Sequence, residues 1–142
     1  MAHRSILVLL LIALIVFSGC LSGKETIPVA SSTLDIKSQE VTVKSGENAQ
    51  LMIRITNNGK SVIHPFVRFN LNASDKKYVK FSNESGSYDL GALRPGEDSG
   101  FRIVDFTAVL AAGKEMKYQT RAQVIYDGKV LESKDIVINV RS

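Results

Sequence analysis

The chain has 142 residues, 44% of them hydrophobic and 23% charged, with 18 basic side chains against 14 acidic ones and a formal net charge of +4. That length accommodates one ordinary domain rather than two. Both signs of charge are interspersed, and the densest basic cluster, Lys76-Lys77 with Lys80, lacks the concentration of a nucleic-acid surface, so no nucleic-acid partner is expected.

The chain opens with the layout of an export signal: Arg4 and the α-amino group are positive, Ile6 to Phe17 are uninterruptedly apolar, and Ser18-Gly19 are small. Those twelve apolar residues make a helix of about 18 Å, short against a hydrocarbon core of about 30 Å. A cleaved signal therefore suits them better than a permanent span, an uncleaved anchor being the alternative. The single cysteine, Cys20, excludes an intramolecular disulfide and follows the small pair directly. Phe17-Ser18-Gly19-Cys20 resembles the lipobox of secreted lipoproteins. The resemblance implies residues 1–19 as signal peptide, Cys20 as the lipidated first mature residue, and a partner in the membrane through that lipid. Two acyl chains anchor stably where one does so only marginally. Residues 20–33, rich in Ser, Thr and Gly with Pro28, are expected to be the tether.

From Leu34 onward the pattern alternates with period two. Leu51, Ile53 and Ile55 alternate with Met52, Arg54 and Thr56 before Asn57-Asn58-Gly59 ends the run, and Val67, Phe69 and Leu71 alternate with Arg68 and Asn70. Arg94-Pro95-Gly96-Glu97 reads as a type II turn, with proline fixing the first corner and glycine supplying the positive φ of the second. Tyr118, Thr120, Ala122, Val124 and Tyr126 form one face of a long strand whose other face carries Lys117, Gln119, Arg121 and Gln123. Asp127-Gly128 then gives the two-residue signal of a type I′ hairpin.

Strands are expected over 34–37, 40–44, 49–56, 64–71, 78–82, 87–92, 99–109, 116–126 and 129–140, with no helical period sustained for three turns. This predicts an all-β protein, an antiparallel sandwich of about seven to nine strands in one domain over 34–142. A closed barrel satisfies the same pattern.

Val43-Lys44-Ser45-Gly46-Glu47, Ile53-Arg54-Ile55-Thr56-Asn57-Asn58-Gly59 and Leu93-Arg94-Pro95-Gly96-Glu97 occur in that order. The order resembles that of CARDB-type and related immunoglobulin-like domains. The resemblance spans roughly residues 40–140 and implies a sandwich on a prokaryotic cell surface, often in adhesins and envelope proteins, with no catalytic residues to carry over.

Chemistry-bearing groups are sparse. His64 is the one histidine beyond the leader, with no base and acid set beside a hydroxyl to suggest nucleophilic hydrolysis. No ligand set for zinc or calcium is spaced along the chain, so neither metal nor cofactor is expected. Asn72-Ala73-Ser74 and Asn83-Glu84-Ser85 are sequons that make Asn72 and Asn83 candidate glycosylation sites. The expected function is a tethered, non-enzymatic interaction or adhesion module exported to the outer face of a membrane. It would contact another envelope protein or a surface polymer through Phe66, Arg68, Lys117, Gln119, Arg121 and Gln123. The alternative is a glycan or small-ligand module in which Tyr78, Phe81 and Tyr88 form a stacking platform.

Overall fold

In the computed structural model, which describes residues 29–142, the alternating runs become nine strands. They are β1 (Ser32–Ile36), β2 (Glu40–Lys44), β3 (Asn48–Asn57), β4 (Phe66–Leu71), β5 (Val79–Phe81), β6 (Ser87–Asp89), β7 (Arg102–Ala108), β8 (Met116–Tyr126) and β9 (Lys129–Arg141). Every expected strand is present, with ends shifted by three residues at most. The expected signal peptide, Cys20 and most of the tether lie outside the described residues.

Two sheets form, of order β1-β3-β7-β5 and β2-β9-β8-β4-β6. They are an open sandwich rather than a barrel. The inward residues of each strand meet between them: Leu34, Ile53, Ile55 and Val104 from the first sheet, and Val67, Ala122, Ile136 and Ile138 from the second, all at most 1% exposed. Phe69 and Phe81 bridge the layers, stacked at 4.7 Å between centroids, and Phe81 is tilted against Phe106 of its own sheet at 6.0 Å. Each of the buried Val, Leu, Ile and Phe side chains contributes about 1.5–3 kcal/mol.

The turns follow the residues that encode them. Asp127 and Gly128 both have positive φ, 49° and 70°, as type I′ requires. Gly96 has φ 79°, and the Glu97 amide donates to the Arg94 carbonyl at 2.9 Å. One residue past the hairpin, β9 bulges: Ile125 is opposite Val130 but Val124 is opposite Glu132, leaving Leu131 as the extra residue. The bulge decides which face enters the core. Without it, the tight turn would put Ile136, Ile138 and Val140 on the outer face, since a one-residue slip inverts a strand.

Two expectations need correction. The sandwich is not wholly antiparallel, because β2 pairs with β9 in parallel, Val41 opposite Ile138 and Val43 opposite Val140. Lys37-Ser38-Gln39 interrupts what would be one strand, so its first half pairs in one sheet and its second half crosses to the other. β9 already points the same way there, and the whole chain between β2 and β9 serves as the long connection that a parallel pair needs. The domain also begins before Leu34. Ser32 and Thr33 pair with Asn57 and Thr56, and the Ser31 carbonyl accepts from the Asn58 amide at 2.9 Å, so these residues of the expected tether are held in the sheet.

Asn57 ties one end of the sandwich together. Its side chain is fully buried and donates to the carbonyls of Ser61 at 2.8 Å and Leu93 at 2.9 Å, while its Oδ1 accepts from the Gly59 amide at 2.9 Å. Along the β1 edge, the Leu34 amide donates to the carboxylate of Glu132 from the opposite sheet.

Candidate interaction surface

The register brings all six expected interaction residues onto the outer face of the five-stranded sheet. β4 pairs with β8 so that Phe66 is opposite Ile125 and Arg68 opposite Gln123. Along β8, Lys117, Gln119, Arg121 and Gln123 point outward between the buried Tyr118, Thr120 and Ala122. The Arg68 guanidinium sits over the half-buried Phe66 ring at 5.5 Å, which orients the cation while keeping it exposed.

Neighbouring strands add residues that the sequence reading did not include. Arg121 is opposite Asp135 and bonded to it, Nε to Oδ1 at 2.7 Å. Asn70 donates to Gln123, and Asn139 on β9 donates to Glu40 on β2 at 2.8 Å. Asp135 was concealed by the bulge at Leu131. A hairpin counted straight from Asp127-Gly128 places Lys134, not Asp135, against Arg121.

Asp135 titrates below the usual carboxylate range because it accepts a hydrogen bond from Arg121. Asp89 does likewise, first through the Gly91 amide and then through His64, whose Nε2 lies 2.9 Å away. Both folded-state values are depressed, so the stabilisation is present above the unfolded aspartate value near 4 and is lost as pH falls through the folded ones. The double substitution Asp89→Asn with Asp135→Asn should therefore flatten the decline of Tm as pH falls below about 4. A decline as steep as that of the wild type would contradict this.

His64 occupies an exposed position, and its side-chain hydrogen bond goes to Asp89; among the described residues no serine hydroxyl joins them. No cluster of three or more His, Cys, Asp or Glu that could hold a metal occurs among the described residues. No described helix is long and apolar enough to cross a membrane.

The expected aromatic platform is not formed. Phe81 is 9% exposed and stacked on Phe69 in the core. Tyr88 packs edge-on against Phe69, with its hydroxyl near Ser82 Oγ at 3.1 Å and accepting from the Asn83 amide, whereas Tyr78 lies against Tyr118. Strand alternation sends these rings into packing rather than onto one open surface.

The two sequons differ. Asn83 Nδ2, the atom a glycan would occupy, donates to the Ser87 carbonyl at 2.7 Å, and its Oδ1 accepts from Ser85 Oγ at 2.8 Å. Asn72 is exposed in the turn after β4, where its carbonyl, not its side chain, accepts from Asp75 and Lys76.

No family model matches this chain, and no curated protein matches it. Among solved structures, it resembles a part of Escherichia coli alpha-2-macroglobulin spanning domain MG7 to the C-terminus. The TM-score is 0.55 at 15% identity, covering 80% of this chain and 17% of that one. The fold is immunoglobulin-like. Such an immunoglobulin-like sandwich thus corresponds to a small fraction of that larger molecule. The chain is also similar to AvmM, described as catalysing macrocyclization in alchivemycin A biosynthesis, with TM-score 0.50 and 10% identity, covering 79% of this chain and 89% of that one. A third similar structure is a CARDB domain from Pyrococcus furiosus described in complex with di-metal ions, with TM-score 0.48 and 17% identity, covering 81% of this chain and 96% of that one.

Proposed function

We infer that this protein is a non-enzymatic interaction module of the cell envelope, tethered to the outer face of a membrane through lipid on Cys20. The observation that carries the reading is the gathering of Arg68, Lys117, Gln119, Arg121 and Gln123 on one continuous outer sheet face. A broad strand-built surface of this kind suits a protein or polymer partner, since it lacks the enclosed apolar pocket typical of small-ligand sites. An immunoglobulin-like sandwich following an export signal and a lipobox-like cysteine is consistent with that address.

The described residues begin at the end of the sandwich where β1 starts, beside the 58–65 and 90–101 segments, and the 45–47, 72–78 and 109–115 loops are at the far end. The outer sheet face runs between these two ends and stays open to a partner beside the domain.

Membrane extraction tests the anchor: Cys20→Ala should move the protein from the detergent phase to the aqueous phase and remove the lipid mass. Unchanged mass and partitioning would overturn the lipid attachment. The face is tested by lysine-directed cross-linking on intact cells. Lys117→Glu with Gln119→Glu should abolish the adduct formed by the wild type without changing the amount of protein, and an undiminished adduct would move the partner to another surface.

A further inference from the structure

The two long sides of the sandwich are finished differently. On the β1 side, Glu132 caps the Leu34 amide and links the sheets. On the other side, among the described residues β5 pairs only with β7, and the β4–β6 ladder ends where the Phe69 amide donates to the Gly86 carbonyl at 2.8 Å. Beyond that point the outer edge of β4 at Leu71 faces the free edge of β5 at Phe81 without a strand on either. By alternation, the Phe81 amide and carbonyl point to this open side, since Tyr78, Lys80 and Ser82 are the residues bonded toward β7.

Between these edges lies a cleft of about 620 Å³. Its floor is apolar, from Phe69, Leu71 and Phe81, and its rim carries Arg68, Lys76 and Lys80 against one acid, Glu84. Among the described residues none of these three cations forms an ion pair. Free edge backbone, an apolar floor and a net positive rim are three separate features that converge on one kind of occupant.

We propose that this cleft binds a short extended acidic segment of a partner protein, which adds to the edge of β5 by backbone hydrogen bonds. The segment's carboxylates meet Arg68, Lys76 and Lys80 while its alternate apolar side chains rest on Phe69 and Phe81. β5 has three residues, so the paired stretch is about 10 Å long at about 3.3 Å per residue. The cleft adjoins the outer-face surface, with Arg68 and Asn70 lining both, but Lys76, Lys80 and the β5 edge lie outside that face, so its success or failure is independent of that reading.

The test is fluorescence anisotropy of the full chain in detergent with a labelled peptide of alternating Glu and Val. Binding should be saturable and weaken with added salt. Lys76→Glu with Lys80→Glu should weaken it about tenfold or more, as should methylation of the peptide's backbone nitrogens, which removes its strand donors. Lys117→Glu should leave it unchanged. Absence of binding, or binding indifferent to both the charge reversal and the methylation, would overturn the proposal. Binding of anionic phosphatidylglycerol vesicles at the same lysines, with none of the peptide, would overturn it in favour of a lipid surface.

Discussion

Asn57→Ala should cost about 3 kcal/mol of stability and lower Tm by roughly 10 °C. The Asn57 amide is fully buried and holds three backbone groups from two loops, the carbonyls of Ser61 and Leu93 and the amide of Gly59. Alanine leaves all three without that partner in a place water reaches poorly, so the loss exceeds the ~1 kcal/mol net worth of an ordinary hydrogen bond. The backbone of Asn57 is engaged as well, its amide donating to Glu97 at 2.9 Å and its carbonyl accepting from Gly96 at 2.8 Å. Loosening the side chain therefore loosens the Arg94–Glu97 turn with it. Urea melts check this: the midpoint should fall with an unchanged slope. A loss below about 1 kcal/mol would mean that the two loops are held by other contacts.

Tyr118 is the second large lever. Its ring is 2% exposed and stacks on Tyr78 at 5.8 Å, and its hydroxyl donates to the Val109 carbonyl at 2.9 Å. It thereby pins the β7–β8 connection to the start of β8, much as the tyrosine corner does in immunoglobulin sandwiches. Tyr118→Phe removes only the hydrogen bond and should cost about 1–2 kcal/mol, whereas Tyr118→Ala also opens a cavity and should cost about 3–5 kcal/mol. Equal losses for the two would contradict the packing role. Burial pushes the Tyr118 hydroxyl above its ordinary value. Its share of stability is then fully present below the unfolded tyrosine value near 10 and is lost as pH rises through the folded one. Tyr118→Phe should remove that part of the alkaline decline.

How far the sequence could be read depended on the range of the interaction concerned. Strand positions and turn types are local, and Asp127-Gly128 and Pro95-Gly96 carry their backbone geometry in their own chemistry. The face of β8 was equally legible, because alternation separates Lys117, Gln119, Arg121 and Gln123 from Tyr118 and Ala122 without any knowledge of neighbours. What depended on pairing was not. The bulge at Leu131 moves Asp135 opposite Arg121, and no turn residue marks it. An indirect signal existed: only a shifted register sends Ile136, Ile138 and Val140 inward together. The parallel β2–β9 pair likewise arises from a sheet switch at Lys37-Ser38-Gln39, whose residues are compatible with a plain loop. Tyr78, Phe81 and Tyr88 are close in sequence, yet strand parity and the crossing from β5 to β6 send their rings to different packing sites.

For the same reason Asn57 is legible in the sequence only as part of a turn signature. Asn-Asn-Gly announces the end of β3, but the partners of the buried amide, Ser61 and Leu93, come from the following loop and from a segment 36 residues away. That long-range role makes the residue expensive to replace.

Site-specific photocross-linking on intact cells reads out whether the outer face of the five-stranded sheet meets a partner. A photoreactive residue placed at Gln119 samples that face, and one at the exposed Asp105 samples the outer face of the other sheet. A discrete adduct of higher mass with an envelope component is expected from position 119 and none from position 105. Adducts from 105 alone, or from neither position, would contradict it.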